Sequence, residues 1–356
     1  MKILLLPATT SSDPTYGRVL LSLAAEYRLL GHCVLTGEPG PPVAPGFGQA
    51  QQDSSARSDL SGPFFMFKLL YALKSGKIDI VHLHFSGFFR WWFLWLAAAR
   101  ILRKFRLVVT FQDYSHPDLP SNGPMRRFGL KTLILAADDI TAVSHFLHDV
   151  IRKYSVLGRR PCRVVPNGAA ISAQAGIVAA PDRDESYILS AGRLAPYKGH
   201  DLLLMAYAGA CAKAPMPGLV ICGADYSAGA IPGLAGRLGI GHKVSFEGYV
   251  PPDKLGRLME NALFFTLLSR WESFGMAVLE AMSRGRAVLV TQTGGLQELV
   301  SDGVDGLLVP PLDTAAAERA MLLLSSDPGL RLKLGKAGRA KAAGFSWKNA
   351  ATAYLG

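Results

Sequence analysis

Short apolar runs recur along the whole chain, each ended by a polar or glycine-containing turn and followed by a helical pattern. In the first half these are Ile3-Leu-Leu-Leu, Gly31-His-Cys-Val-Leu-Thr36, Ile78-Asp-Ile-Val-His-Leu-His84, Leu107-Val-Val-Thr-Phe111, Ile140-Thr-Ala-Val-Ser144 and Cys162-Arg-Val-Val-Pro166. The second half repeats the plan with Tyr187-Ile-Leu-Ser-Ala-Gly192, Leu219-Val-Ile-Cys-Gly223, Val244-Ser-Phe-Glu-Gly248, Leu263-Phe-Phe-Thr-Leu-Leu268, Ala287-Val-Leu-Val-Thr291 and Gly306-Leu-Leu-Val-Pro310. Strands separated by helices return on the same side and pair in parallel, so the pattern predicts βαβ units and parallel sheets. Within the third run His82 and His84 share one face, because side chains alternate along a strand.

The length, 356 residues, suits two domains of this kind. Residues 1–170 form the first on this reading and residues 187–340 the second. Residues 171–186, rich in Ala, Gly and Pro, are the linker, and residues 341–356 a terminal helix that packs back toward the first domain. Gly37 to Pro63, rich in Gly, Pro, Ser and Gln, reads as a surface loop, and Phe64 to Ser75 as a helix. Four scattered cysteines without a Cys-x-x-Cys pair argue against a disulfide frame or zinc site and suit a reducing cytoplasm. The first residues are too short an apolar run for a signal peptide and read as a strand.

The net charge is +11, and it is uneven. Between Lys68 and Lys131 eleven Lys and Arg face three Asp, a basic excess that suits an anionic membrane surface, nucleic acid or a phosphorylated substrate. No nucleic-acid module accompanies it. The Trp-rich stretch from Phe88 to Ala99 is shorter than the ~20 apolar residues of a membrane span. It fits either a buried crossover helix or a helix seated at a membrane interface. Asp182-Arg-Asp184 has the look of a metal motif, but its place in the linker makes a solvated loop the better reading.

Two stretches of the second half carry chemistry. Gly192-Arg-Leu-Ala-Pro-Tyr-Lys-Gly199 is a loop between strand and helix whose Arg193 and Lys198 can embrace a diphosphate, one as a fork and one as a point charge. Ser269-Arg-Trp-Glu-Ser-Phe-Gly-Met-Ala-Val-Leu-Glu280 reads as strand end, loop and helix start, with Ser273 as the expected cap and Gly275 as a point of close approach. The first amides of a helix lack internal partners and carry the positive end of the dipole, so such a turn attracts an anion. Glu272 then lies beside the anion and Glu280 about two turns into the helix, each placed to accept hydrogen bonds from sugar hydroxyls.

These stretches, with Val165-Pro-Asn-Gly168, Phe246-Glu-Gly-Tyr-Val250, Gly294-Gly-Leu-Gln-Glu-Leu-Val300 and Asp305-Gly-Leu-Leu-Val309, resemble the retaining glycosyltransferases of family four. The likeness runs from Gly17 to about Trp347. It implies the GT-B fold: two Rossmann-like α/β domains whose parallel sheets face a central cleft. It implies a nucleotide-diphosphate sugar as donor substrate, no cofactor, no metal, and a glycan or lipid-linked acceptor, in polysaccharide or cell-envelope glycan synthesis. Arg193, Lys198 and Glu272 would be catalytic. Gly17, Tyr249, Val250, Phe274, Gly275, Met276 and Glu280 would bind the donor. Many relatives have a His after the strand that matches Leu107 to Phe111; here Gln112 stands there, so Gln112, Asp113 and His116 are the acceptor-side candidates. Gln112 cannot take up a proton at neutral pH, which suits a front-face reaction with no protein base. The expected location is cytoplasmic, or peripheral at the inner face of the cell membrane. A non-catalytic sugar-nucleotide-binding component of a glycan assembly complex is the alternative.

Overall fold

Among the described residues, apolar β-branched and leucine-rich runs build two separate parallel sheets, each of six strands. A computed structural model describes residues 1–7, 14–36, 78–86, 96–100, 105–113, 124–154, 157–158, 160–169 and 187–356. The expected loop at Gly37 to Pro63, the helix at Phe64 to Ser75, the Trp-rich stretch up to residue 95 and the linker lie outside these residues. The chain divides into two compact units, Met1–Asn167 with Trp347–Gly356, and Gly168–Ser346.

In the first unit the strands are β1 (Lys2–Pro7), β2 (Cys33–Thr36), β3 (Ile80–Ser86), β4 (Arg106–Asp113), β5 (Asp139–Ala142) and β6 (Arg163–Val164). Their order is β2-β1-β3-β4-β5-β6, all parallel. The helices of this unit include α1 (Pro14–Leu29), α2 (Pro124–Ala136) and α3 (His145–Tyr154). Ser144 caps α3 as its sequence predicts, its Oγ accepting from Leu147 N at 3.0 Å. Helix α1 opens at Pro14, where a proline's fixed φ and missing N–H suit a first helical position.

A buried polar ladder crosses the sheet of this unit. Tyr27 Oη lies 3.1 Å from His82 Nδ1, His82 Nε2 lies 2.7 Å from Thr110 Oγ1, and Thr110 meets Thr141 at 2.7 Å. Burial, then the neighbouring His84 and Arg106, push His82 well below the usual imidazole range, so a neutral ring links the two hydroxyls. The His82 and His84 rings are 4.2 Å apart, confirming their common face. The last helix of the chain closes this cluster: Tyr354 packs edge-on to His82 at 4.5 Å. Arg106 and Arg163 donate to the terminal carbonyls of Leu355 and Ala353 at 2.9 and 3.1 Å, where cations oppose the negative helix end.

The second unit contains β7 (Tyr187–Ala191), β8 (Gly218–Cys222), β9 (Val244–Gly248), β10 (Phe264–Leu267), β11 (Ala287–Thr291) and β12 (Leu307–Val309). Its helices are α4 (His200–Lys213), α5 (Ala230–Arg237), α6 (Pro252–Asn261), α7 (Met276–Ser283), α8 (Leu296–Leu299), α9 (Thr314–Ser326) and α10 (Pro328–Ala342). Helix α11 (Trp347–Leu355) is the one that returns to the first unit. One core face is filled by Leu203, Ala206 and Tyr207 of α4 and by Met321 and Leu324 of α9, packed with Ile188, Phe264 and Leu289 of the sheet. Asp313 and Asp327 cap α9 and α10, each accepting a backbone N–H at 2.8 Å.

Strand order in this sheet is β12-β11-β10-β7-β8-β9. The chain starts in the middle at β7, runs to one edge, then returns to β10 on the other side of β7. In open parallel sheets a ligand crevice forms at that reversal, outside the carboxyl ends of the strands. The two loops that flank it follow β7 and β10, and they hold the two stretches singled out by the sequence.

Candidate functional site

The loop after β7 carries Arg193 and Lys198. Its second half is a single 3-10 turn, Pro196–Lys198, stopped by Gly199 in the left-handed conformation at φ 67°. Only glycine fits there: an added Cβ would lie 1.9 Å from the carbonyl oxygen of Leu268. The close approach lays this turn against the loop after β10. Lys198 Nζ then reaches Glu272 Oε2 at 2.5 Å, with both side chains mostly buried. Burial would lower the lysine's pKa, but Glu272 and the Tyr197 ring beside it outweigh that, and Lys198 is held above its ordinary range. It is a cation at every physiological pH.

Aromatic rings flank the same cations. The Arg193 guanidinium lies 5.8 Å from the Tyr197 ring centroid and 5.9 Å from that of Tyr226, and Lys198 Nζ lies 5.5 Å from Tyr197. Such contacts fix the direction of a guanidinium fork at little entropic cost. His200, the first residue of α4, is buried with neither ring nitrogen hydrogen-bonded. Burial and the Lys198 charge push its pKa down to about 4, so it adds no positive charge to the site. Sequence inspection gave it no role, because nothing about Gly-His at a helix start reveals burial.

The loop after β10 differs from its expected form at one point. Ser273 is not the cap of α7; Gly275 is, at φ 100°, with no side-chain cap bond. The helix begins at Met276, so Glu280 is little more than one turn in, not two. The cause is packing from elsewhere: a Cβ at Gly275 would come within 2.6 Å of Leu296 Cδ2. Gly295 N donates to Glu272 O at 2.9 Å, so the turn before α8 supports the acid from below. Phe274 is buried and meets Phe345 at 6.1 Å. Tyr249 and Val250 follow β9 on the same carboxyl edge of the sheet, the first exposed and the second buried.

The remaining candidates belong to the first unit. Gly17 lies within the first turn of α1. Gln112 and Asp113 end β4, and His116 lies outside the described residues. Gln112 is buried and paired reciprocally with Asn167: Nε2 donates to Asn167 Oδ1 at 3.2 Å, and Oε1 accepts from Asn167 Nδ2 at 2.7 Å. Its Nε2 also donates to His84 Nδ1 at 3.0 Å. Both amide hydrogens are therefore spent inside the unit. Burial pushes His84 down to about 3, which keeps the ring a neutral acceptor. Among the described residues no group of three His, Cys, Asp or Glu is placed to hold a metal ion. No helix among them is long and apolar enough to cross a membrane.

Known proteins share both the sequence pattern and the fold of this chain. A family model described as "Glycosyltransferase Family 4" matches residues 17–172, and one described as "Glycosyl transferases group 1" matches residues 178–341. The chain belongs to glycosyltransferase family 4. Among its family-4 relatives are proteins named D-inositol 3-phosphate glycosyltransferase. That of Streptomyces avermitilis is 30% identical over 310 residues, covering 79% of this chain and 65% of the relative. That of Nocardia farcinica is 32% identical over 247 residues, covering 65% of this chain and 54% of the relative. The chain thus spans about half to two thirds of the length of these two relatives. Its fold is shared with sucrose-phosphate synthase from Thermosynechococcus elongatus, at TM-score 0.76 and 23% identity over 99% of this chain and 97% of that one. It is shared too with the Anabaena protein HepE solved with UDP, at TM-score 0.70 and 18% identity over 100% and 98%. This family-4 chain is therefore a two-domain α/β protein of the GT-B fold, as its strand pattern and motifs led us to expect.

Proposed function

We propose that this protein is a retaining glycosyltransferase that moves a hexose from a nucleotide-diphosphate donor to a glycan or lipid-linked acceptor. The observation that carries the reading is the placing of Arg193, Lys198, Glu272 and the start of α7 on the two loops that flank the strand reversal of the second sheet. HepE was also solved with UDP-glucose, which supports a UDP-linked sugar as the first donor to try. The names of the relatives add a phosphorylated cyclitol to the acceptors worth testing.

In this reading Arg193 and Lys198 bind the diphosphate. The free amides at the start of α7, from Phe274 to Met276, meet the phosphate and sugar. Glu272 accepts from the sugar hydroxyls and Glu280 from the ribose diol, while the backbone at Tyr249 and Val250 faces the base. In the free protein Glu272 neutralises Lys198, so the diphosphate replaces that carboxylate as the cation's partner and releases Glu272 to the sugar. In the reaction the bond from the anomeric carbon to the phosphate oxygen breaks, and a bond to the acceptor oxygen forms on the same face. The acceptor proton passes to the departing phosphate oxygen. Gln112 has no proton to give or take, and this route needs none from it. The two cations stabilise the growing charge on the leaving diphosphate, an effect of several kcal/mol in typical sites.

The test is a transfer assay with UDP-hexoses and the acceptor classes named above, followed by proton NMR of the anomeric centre. Release of UDP with the donor's α configuration kept in the product is the expected result. An inverted product contradicts the retaining mechanism. Tight UDP binding with no release against any acceptor points instead to a non-catalytic binding component.

A further inference from the structure

We infer that Arg270 and Asp201 form a clamp that positions Lys198 for the diphosphate, without touching the donor themselves. The inference rests on the donor site proposed above and adds to it a pair of residues that determine where its buried cation sits. Arg270 follows β10 by three residues, and Asp201 is the second residue of α4. Their contact is a two-pronged one: Nη1 donates to Asp201 Oδ1 at 2.7 Å and Nη2 to Oδ2 at 2.6 Å. The same Nη1 donates to Pro196 O at 2.8 Å. From the backbone, Arg270 N donates to Tyr197 O at 2.8 Å, and Trp271 N reaches the same oxygen at 3.3 Å.

Arg270 therefore holds two consecutive carbonyls of the Pro196–Lys198 turn, one with its side chain and one with its main chain. The next residue of that turn is Lys198, and two residues past Arg270 is its partner, Glu272. One arginine thus ties the strap bearing the cation to the strap bearing the acid, across the strand reversal. A planar fork does this and a flexible ammonium does not.

Magnitudes separate this role from ordinary support. The two side chains are 34% and 32% exposed, and a half-wet ion pair contributes only ~0–1 kcal/mol to folding. Position is more sensitive, since a shift of ~1 Å in a site can lower the rate ~100-fold. Loss of the clamp should therefore show in function well before it shows in stability.

The experiment compares Arg270→Gln, Asp201→Asn, the double variant and Lys198→Ala in the full chain. Inorganic pyrophosphate is titrated by calorimetry, and turnover is measured with the donor found in the transfer assay. Arg270→Gln is expected to weaken pyrophosphate about 10-fold and to lower kcat about 10- to 100-fold. The donor KM should rise by no more than pyrophosphate weakens, about 10-fold, with kcat falling as well, and the melting temperature should fall by only a few degrees, as for a partly exposed ion pair. The double variant should be no worse than the poorer single one, because the two residues act as a unit. Asp201→Asn, which removes a charge and leaves Arg270 with its contacts to the Pro196 and Tyr197 carbonyls, carries the test if Arg270→Gln does not fold. Pyrophosphate affinity and kcat within about threefold of the unaltered protein in a folded clamp variant would overturn the inference, as would additive losses in the double variant. If Lys198→Ala binds pyrophosphate and turns over normally, the donor-site reading fails and not the clamp alone.

Discussion

Lys198→Ala is expected to lower kcat about 100- to 1,000-fold, the loss typical of removing one charge-stabilising group from an active site. The structure adds a second consequence. Lys198 Nζ is the 2.5 Å partner of a Glu272 carboxylate that is only 12% exposed. Removing the lysine strands that carboxylate, and breaking a mostly buried pair costs about 3–5 kcal/mol unless the acid takes up a proton. Lys198→Ala should therefore melt at a lower temperature as well as react slowly. The two effects separate in Lys198→Ala combined with Glu272→Gln, where no buried charge is left unpaired. That double variant should recover most of the melting temperature and none of the turnover. Activity close to that of the unaltered protein in either variant would show that the diphosphate is held elsewhere.

Gly199→Ala is expected to be strongly destabilising. The residue combines a left-handed backbone with a carbonyl oxygen 1.9 Å from where the methyl would go. Left-handed strain and overpacking contribute ~1–3 kcal/mol each, so unfolding in urea should show a loss of about 2–6 kcal/mol. The damage has a direction. The turn can admit a methyl group only by moving away from Leu268, and that motion carries Lys198 away from Glu272. Pyrophosphate binding should fall along with stability. A loss below about 1 kcal/mol, under the smallest of these contributions, would mean that the two loops are less tightly apposed than described.

Much of the fold was legible because its signal is local. A run such as Ala287 to Thr291 is apolar and short, and the strand occupies those residues. The parallel sense of both sheets follows from the helices between such runs. Strand order has no such local trace. No feature of Phe264 to Leu267 says that it pairs with β7 on one side and β11 on the other. The contacts that make the site depend on that order: Lys198 with Glu272 and Asp201 with Arg270 join residues about seventy positions apart.

The misread cap has the same origin. Ser273 has the chemistry of a helix cap, but Leu296 and Leu299 crowd Gly275 and set the helix start two residues later. Gln112 looks available for an acceptor in the sequence. In the fold its amide is consumed by Asn167 and His84, neither of which is near it along the chain. Asp113 ends the same strand, and His116 lies outside the described residues.

The most direct measurement is a crystal structure of the protein soaked with UDP or a UDP-hexose. The diphosphate should lie within hydrogen-bonding distance of Arg193 and Lys198, with its sugar end at Glu272 and the ribose at Glu280. A nucleotide lodged away from the loops that follow β7 and β10, with the Lys198–Glu272 pair intact, would contradict the proposed donor site.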